Sequence, residues 1–303
     1  MIALHPGERG LLLLCCDLEL APMQTSMHPL TPAQYRDLLR RVAVSGSAFA
    51  DSERTLTASE LMHIGCEADF AYRVERLMNR EAKLDAFLKT LEQRDIFPIT
   101  RLSDGYPNVL RQKLRLAAPV LLFGVGNPAL LRQRTVSAVG SRALRERGRV
   151  IAQRIGKLAA AHRWVLCSGG AVGADEAATQ ACLSAGGSAV LYLAGNLEQE
   201  SERWRWALQS GRLLLLSEQS PYASFSAVRA LTRNHYIHAH GAQTVVCQCS
   251  DRQGGTWRGA VDNLREGWSP VWVEGGGPGA DLLLARGAKP LDWQALELIL
   301  TEQ

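Results

Sequence analysis

The chain has 303 residues, of which 47% are hydrophobic and 21% are charged, and it carries a formal net charge of +4 at pH 7. This length allows about two domains with a substantial core, so neither disulfides nor a metal is needed for folding. The longest apolar run, residues 11–16, is far shorter than the ~18 residues of a membrane span, so we expect no membrane passage. The first residues lack the order of a signal peptide, and we therefore expect a cytoplasmic protein.

The first third of the chain has helical patterns. The run "GLLLLCC" fits either a strand or a buried helix, because periodicity does not separate the two in so short a segment. Thr31 and Pro32 are residue types typical of an N-cap and a first helical position. Apolar residues between positions 74 and 91 recur at helical spacings. These patterns predict a small helical N-terminal domain over residues 1–98.

Strand signals dominate after residue 133. Apolar runs at "TVSAVG", "WVLCSG", "AVLYLAG", "LLLLSE", "TVVCQC" and "PVWVEG" alternate with helical stretches. This alternation is typical of parallel strands that are covered on both faces. It predicts a doubly wound, mostly parallel Rossmann-like α/β sheet over residues 99–280, followed by a short C-terminal tail over residues 281–303.

Two glycine-rich turns follow the first two of these strands, at residues 140–142 and 168–170. Ligands of doubly wound sheets bind outside the carboxyl ends of the strands, and glycines there let backbone N–H groups approach a phosphate. Arg142 can grip such a phosphate with two hydrogen bonds. Basic residues also cluster between positions 132 and 163, where Glu146 is the only acid. We interpret the turns as a phosphate-holding pair, while tight-turn glycines are the alternative for either turn alone.

Other ligand classes have little support in the sequence. No G-x-G-x-x-G follows the first strand and no Walker lysine motif occurs, so we expect neither NAD nor ATP in the usual modes and no cofactor. His235, His238 and His240 have no carboxylate or cysteine at a matching spacing. The seven cysteines form no C-x-x-C pair. We therefore expect free thiols and no metal site.

Five stretches resemble, in order and spacing, the DNA-processing protein family DprA, also called Smf. They are "AVGSRALRERG", "VLCSGGAVGADEAATQACLSAGGSAVLYLAG", "LLSEQSP", "RALTRNHYIHAHGAQTVV" and "GGTWRGAVDNLREGWSPVWV", which lie within roughly residues 100–292. An ordered series of motifs is far more specific than any one of them. The resemblance implies a Rossmann-like domain that binds single-stranded DNA, forms a homodimer and delivers the DNA to a RecA-type recombinase, as in natural transformation.

The resemblance also implies the residues of the binding pocket and no catalytic residue. Val172 stands where the family has a basic residue, and His235 stands where it has a third residue of an RNR triplet. For Asp175, capping of its own helix is the structural alternative. The expected pocket residues are Gly140, Ser141, Arg142, Ser168, Gly169, Gly170, Gly173, Asp175, Arg233, Asn234, Gly255 and Thr256.

Two alternative functions stay open at this point. The related LOG-type phosphoribohydrolases carry a catalytic Glu in a glycine-rich motif. The corresponding stretch "RQGGTWRGAVDN" keeps a glycine pair but has Asp262 as its nearest acid. A sensor domain for a small nucleotide is the other alternative, because a pocket for one phosphate serves either role. The sequence does not separate DNA, RNA and a small nucleotide as ligands.

Overall fold

The structure is a computed structural model that describes residues 4–18, 28–46, 55–195, 197–223 and 225–302. Its contacts divide the chain into two compact units, one of Met1–Tyr106 with Pro119–Phe123 and the other of Pro107–Ala118 with Gly124–Gln303. Within the described ranges, no helix is both long enough and apolar enough to cross a lipid bilayer. The domain boundaries expected at residues 98/99 and 280/281 stay a prediction.

The first unit is a set of short helices followed by one strand. An N-terminal helix buries Leu11–Leu14, so the leucine run that fits either element is helical. Thr31 and Thr57 cap the next two helices by accepting backbone hydrogen bonds, as the expected N-cap at Thr31 requires. The elements are α1 (Pro6–Cys15), α2 (Pro32–Val44), α3 (Ala58–His63), α4 (Ala68–Met78), α5 (Glu81–Glu92) and β1 (Ile96–Thr100).

The second unit contains the strands that the apolar runs predict. After α6 (Asn108–Leu114) comes β2 (Leu121–Gly126), whose residues are divided between the two units. The elements that follow are β3 (Thr135–Val139), α7 (Glu146–Ala161), β4 (Val165–Ser168), α8 (Ala174–Ser184), β5 (Ser188–Leu193), α9 (Leu197–Arg203), α10 (Arg205–Gln209), β6 (Leu213–Ser217), α11 (Ala227–His240), β7 (Gln243–Val246), α12 (Gly254–Glu266), β8 (Val271–Val273), α13 (Pro278–Leu284), β9 (Lys289–Pro290) and α14 (Trp293–Thr301).

The sheet of the second unit has the order β6-β5-β4-β3-β7-β8-β9, and its neighbouring strands pair in parallel. The order reverses at β3, which lies between β4 and β7. This arrangement confirms the predicted Rossmann-like fold, and in such a fold the reversal point is where ligands bind. The residues expected to form a short tail contribute β9, which pairs with β8 at the sheet edge.

The strands are mostly apolar because helices cover the sheet. The side chains of β4, β5 and β6 are almost completely buried, as expected for parallel strands. Helices α7 and α8 approach closely at Gly156, where an added Cβ would lie 2.2 Å from the backbone oxygen of Ala178. This close approach fixes α7 beside α8, directly after the two glycine-rich turns.

Candidate functional site

A cavity of about 630 Å³ lies beyond the carboxyl ends of β3 and β7. We call it the arginine cavity, because four arginines line it and Asp175 is the only carboxylate in its described lining. The arginines are Arg142, Arg233, Arg252 and Arg258. Of the residues expected from the sequence, eight line this one cavity: Gly140, Ser141, Arg142, Asp175, Arg233, Asn234, Gly255 and Thr256.

Two long helices begin at the wall of the arginine cavity. The first residues of α11 and α12, Ala227 and Gly254, both line it. The side chains of the N-cap residues Ser226 and Gln253 make no capping hydrogen bond, so both helices present backbone N–H groups and the positive end of the helix dipole. Asn234 fixes the start of α12, because its Nδ2 donates to the backbone oxygen of Gly255 over 3.1 Å. The cavity is therefore electropositive from its backbone as well as from its arginines.

Arg233 is the most deeply buried cation of the cavity. Its side chain is only 7% exposed, and its Nη1 lies 3.4 Å from Oδ2 of Asp175. Burial lowers the pKa of Arg233 and raises the pKa of Asp175, and their mutual attraction opposes both shifts. The Nε atom of Arg233 is buried without a hydrogen-bond partner among the described residues. A buried N–H donor of this kind costs free energy until an acceptor reaches it.

The side chains of Asp175 and Arg233 pack against the inner side of the second turn, residues 168–170, and of the following Ala171. Asp175 accepts hydrogen bonds from the backbone N–H groups of Gly169 and Ala171. An added Cβ at Gly169 would lie 1.1 Å from Nη1 of Arg233, so only glycine leaves room for that guanidinium. The hydroxyl of Ser168 is fully buried and donates to the backbone oxygen of Ala138 over 2.7 Å. Ser168 therefore does not reach the cavity, because its hydroxyl already has a partner within the sheet.

Three glycines expected in the pocket, Gly169, Gly170 and Gly173, lie near the arginine cavity rather than in its wall. Gly169 and Gly170 line a smaller cavity of about 220 Å³, whose wall also includes Arg142 and Arg233. Gly173 packs against the first turn, since a Cβ there would lie 2.5 Å from the backbone oxygen of Ser141. The backbone N–H groups of Gly169 and Ala171, which could hold a phosphate, instead hold Asp175.

The first turn, residues 140–142, contacts the start of α8 directly. The backbone N–H of Ala174 donates to the oxygen of Ser141 over 3.2 Å, and an added Cβ at Gly140 would lie 2.4 Å from the Cβ of Ala174. Ser141 N–H is also occupied, because it donates to the backbone oxygen of Gln248 over 3.0 Å. The first turn therefore offers the cavity the Arg142 side chain rather than the Ser141 N–H.

Several residues of the site are not among those predicted from the sequence. Phe225 lines the cavity, is 46% exposed and lies beneath the Arg142 guanidinium, with the ring centroid 5.1 Å from Cζ. Arg252 and Arg258 flank the glycines at the start of α12. Gln248 supports the first turn, since its Oε1 accepts from Arg145 N–H over 2.7 Å. The signal for the two arginines was their position beside Gly254 and Gly255, whereas nothing local marks Phe225 or Gln248.

The remaining candidate groups lie outside the cavity. Asp262 pairs with His235, whose Nε2 is 3.0 Å from Oδ2, and neither residue lines the cavity. Burial lowers the pKa of His238 to about 3 and that of His240 to about 4, so both rings are neutral at pH 7. No group of three metal-ligating side chains occurs within the described ranges. All seven cysteines are free.

Comparison with known proteins gives a consistent result. The family model of DNA recombination-mediator protein A matches residues 98–293. DNA processing protein A from Streptococcus pneumoniae superposes with a TM-score of 0.69 at 22% identity, over 90% of this chain and 99% of that one. The DNA processing protein A of Helicobacter pylori, whose structure is described for its single-stranded DNA binding mode, superposes with a TM-score of 0.56 at 19% identity. This superposition covers 68% of this chain and 95% of that one. No curated protein sequence matches the chain.

Proposed function

Because the chain belongs to the DNA recombination-mediator protein A family, we propose that it binds single-stranded DNA with a backbone phosphate in the arginine cavity. As a member of this family, the chain is a DNA-processing protein that acts in recombination. The finer steps are part of the proposal: binding without catalysis, assembly as a homodimer in the cytoplasm, and transfer of the bound strand to a RecA-type recombinase during DNA uptake.

The buried guanidinium of Arg233 is the observation that carries the proposal. Its Nε lacks a partner among the described residues, and Arg233 lines a cavity together with three further arginines and the N-termini of α11 and α12, whose N-cap side chains make no capping hydrogen bond. A phosphate oxygen would supply the missing acceptor and neutralise part of the charge. Such a cavity suits a phosphodiester better than a neutral ligand, because each of these groups is a donor or a positive charge.

Phe225 favours a single strand over a duplex. Its half-exposed ring lies in the same wall as Arg142, where an unpaired base next to the bound phosphate can stack on it. Base stacking on aromatic side chains is a general feature of single-strand binding, and it is tolerant of sequence because every base has a π-face. In duplex DNA the base faces are already stacked, so they are not available to this ring.

The carboxylates near the cavity favour binding over hydrolysis. Asp175 holds two backbone N–H groups and Arg233, and Asp262 is paired with His235 away from the cavity. General acid–base cleavage of a glycosidic bond needs a carboxyl group that reaches the bond. Neither aspartate meets that need, which speaks against the phosphoribohydrolase alternative.

The test is a gel shift with single-stranded and duplex oligonucleotides of equal length over a series of salt concentrations. We expect the single strand to bind more tightly, with an affinity that falls steeply as salt rises because phosphate contacts release counterions. Arg142→Ala should weaken single-strand binding by about 1.5–3 kcal/mol, the range for a charge-assisted contact.

The matched control is Arg205→Ala, which removes an exposed arginine of the same unit that lines none of these cavities. It should bind like the unchanged protein. Equal affinity for single strand and duplex, no salt dependence, or equal losses in the two variants would contradict the proposal. Release of free base from nucleoside monophosphates would contradict the assignment as a binding protein.

A further inference from the structure

A second groove lies between α7 and α8. It has a volume of about 600 Å³, and its wall includes Arg142, which also lines the arginine cavity. We call it the α7–α8 groove. Arg142 therefore lies in the wall of both spaces, so a ligand that contacts Arg142 from one of them is next to the other.

The α7 wall of this groove carries a row of cationic and polar side chains. Arg149, Gln153 and Lys157 line it at spacings of four residues, which places them along one face of the helix. With a rise of 1.5 Å per residue, the two charges are about 12 Å apart along the helix axis. Glu146 is 3.6 Å from Arg149 but largely exposed, and such surface pairs are weak. The row is thus free to contact successive anionic groups of a ligand.

The α8 wall is uncharged except at its beginning. Ala177 and Ala181 form one strip of the wall, and Gln180 and Ser184 form another. Glu176 is the only carboxylate of the described lining, and it is held in an ion pair with Arg203. At the mouth, Val172 is 63% exposed and adds apolar surface. The groove therefore has a cationic side and an opposite side of small apolar and amide groups.

We propose that the α7–α8 groove binds the next nucleotides of the same DNA strand, with phosphates along Arg149 and Lys157 and bases against Ala177, Ala181 and Val172. This inference rests on the proposed function of the arginine cavity and adds a second subsite with a defined direction from Arg142. A single DNA strand matches both walls of the groove, since its phosphates are anionic and its base faces are apolar. The amides of Gln153 and Gln180 can donate to and accept from base edges without strong sequence preference.

The test compares oligothymidylates of increasing length, from about 4 to about 20 nucleotides, the range of site sizes typical of single-strand binding folds. The variant is the double substitution Arg149→Gln and Lys157→Gln, which keeps good helix-forming residues on α7. The unchanged protein should gain affinity with length beyond the shortest oligonucleotide that it binds. The variant should bind that shortest oligonucleotide normally, lose about tenfold on the long ones, and show a salt slope lower by about 1.4, as expected for two single-strand phosphate contacts.

The matched control is Arg205→Gln with Arg265→Gln, which changes the net charge equally at exposed sites that do not line the groove. Loss of affinity at all lengths in both double variants would mean a general charge effect and would overturn the inference. So would an unchanged length dependence in the groove variant. A change in its oligomeric state by sedimentation, with DNA binding intact, would assign the groove to a second copy of the chain instead.

The outcome for the groove is separable from the outcome for the arginine cavity. If short oligonucleotides bind and Arg142→Ala weakens that binding as expected, the cavity stands whether or not the groove contributes. If no oligonucleotide binds the unchanged protein at any length, the proposed function itself fails. Thermal unfolding of each variant, followed by circular dichroism, shows whether a loss of binding reflects a loss of folding.

Discussion

The two glycine-rich turns look alike in sequence but differ in what they do. The second turn closes on the protein's own side chains, because Asp175 occupies its backbone N–H groups and Arg233 lies against Gly169. The first turn is fastened to Gln248 and Ala174 through Ser141 and leaves its arginine at the cavity. A glycine turn at a strand end can therefore serve either a ligand or an internal ion pair, and its sequence does not say which.

This difference predicts that loss of the ion pair behind the second turn mainly lowers stability, whereas loss of Arg142 from the first turn mainly lowers DNA affinity. The buried pair behind the second turn links α8 to α11, and α11 begins at the cavity. Variants that change stability and DNA affinity separately would sharpen the comparison between the two turns. Variants that change both to the same extent would contradict it.

The largest effect is expected for Asp175→Ala. It leaves the Arg233 guanidinium buried without its carboxylate and frees the backbone N–H groups of Gly169 and Ala171. Loss of one partner of a buried ion pair costs about 3–5 kcal/mol, so the free energy of unfolding measured in urea should fall by about that amount. Glu202→Ala, which removes an exposed carboxylate, should change it by less than about 1 kcal/mol.

A second substitution separates stability from binding at this pair. Adding Arg233→Met to Asp175→Ala replaces the orphaned charge with an apolar side chain, which should recover part of the stability. DNA binding should be weaker than that of the unchanged protein because the buried donor is gone. A double variant that recovers both stability and affinity would show that Arg233 has only a structural role.

Gly140→Ala should have an intermediate effect on stability. The new Cβ would lie 2.4 Å from the Cβ of Ala174, so the first turn and the start of α8 must move apart. Overpacking of this kind costs about 1–3 kcal/mol, and we expect weaker DNA binding because the displacement carries Arg142 with it. Gly277→Ala serves as the control, since no heavy atom lies within 4 Å of its added Cβ. Unchanged thermal unfolding of Gly140→Ala would contradict the observed close approach of Gly140 to Ala174.

The smallest effect is expected for Phe225→Ala, which removes the ring beneath Arg142. Stacking of one base on an aromatic side chain contributes about 1–3 kcal/mol. Because Phe225 is half-exposed, we expect a loss near the lower end of this range, about fivefold in affinity. The loss should affect single strands and leave duplex binding and the salt slope unchanged, as measured by fluorescence anisotropy. Phe225→Trp, which keeps a stacking surface, should retain single-strand affinity. Equal losses for single strand and duplex would remove base stacking as its role.

The sequence by itself determined the parallel sheet and the position of the site at its carboxyl edge. Apolar runs such as residues 213–216 can be buried on both faces only within a covered sheet, and the glycine turns after β3 and β4 then fall at the same edge because parallel strands end together. The resemblance of ordered motifs added Arg233, Asn234, Gly255 and Thr256, all of which line the arginine cavity.

Only the tertiary structure decided which groups face the cavity and which are used internally. The Ser168 hydroxyl bonds within the sheet and the Asp175 carboxylate bonds to the second turn, whereas Phe225 and Arg252 reach the cavity from the loops that precede α11 and α12. The physical reason is that a hydrogen-bonding group binds whichever partner the fold brings within about 3 Å. Residue type and spacing limit the possible partners along one segment, but the partners that complete this site lie on other segments.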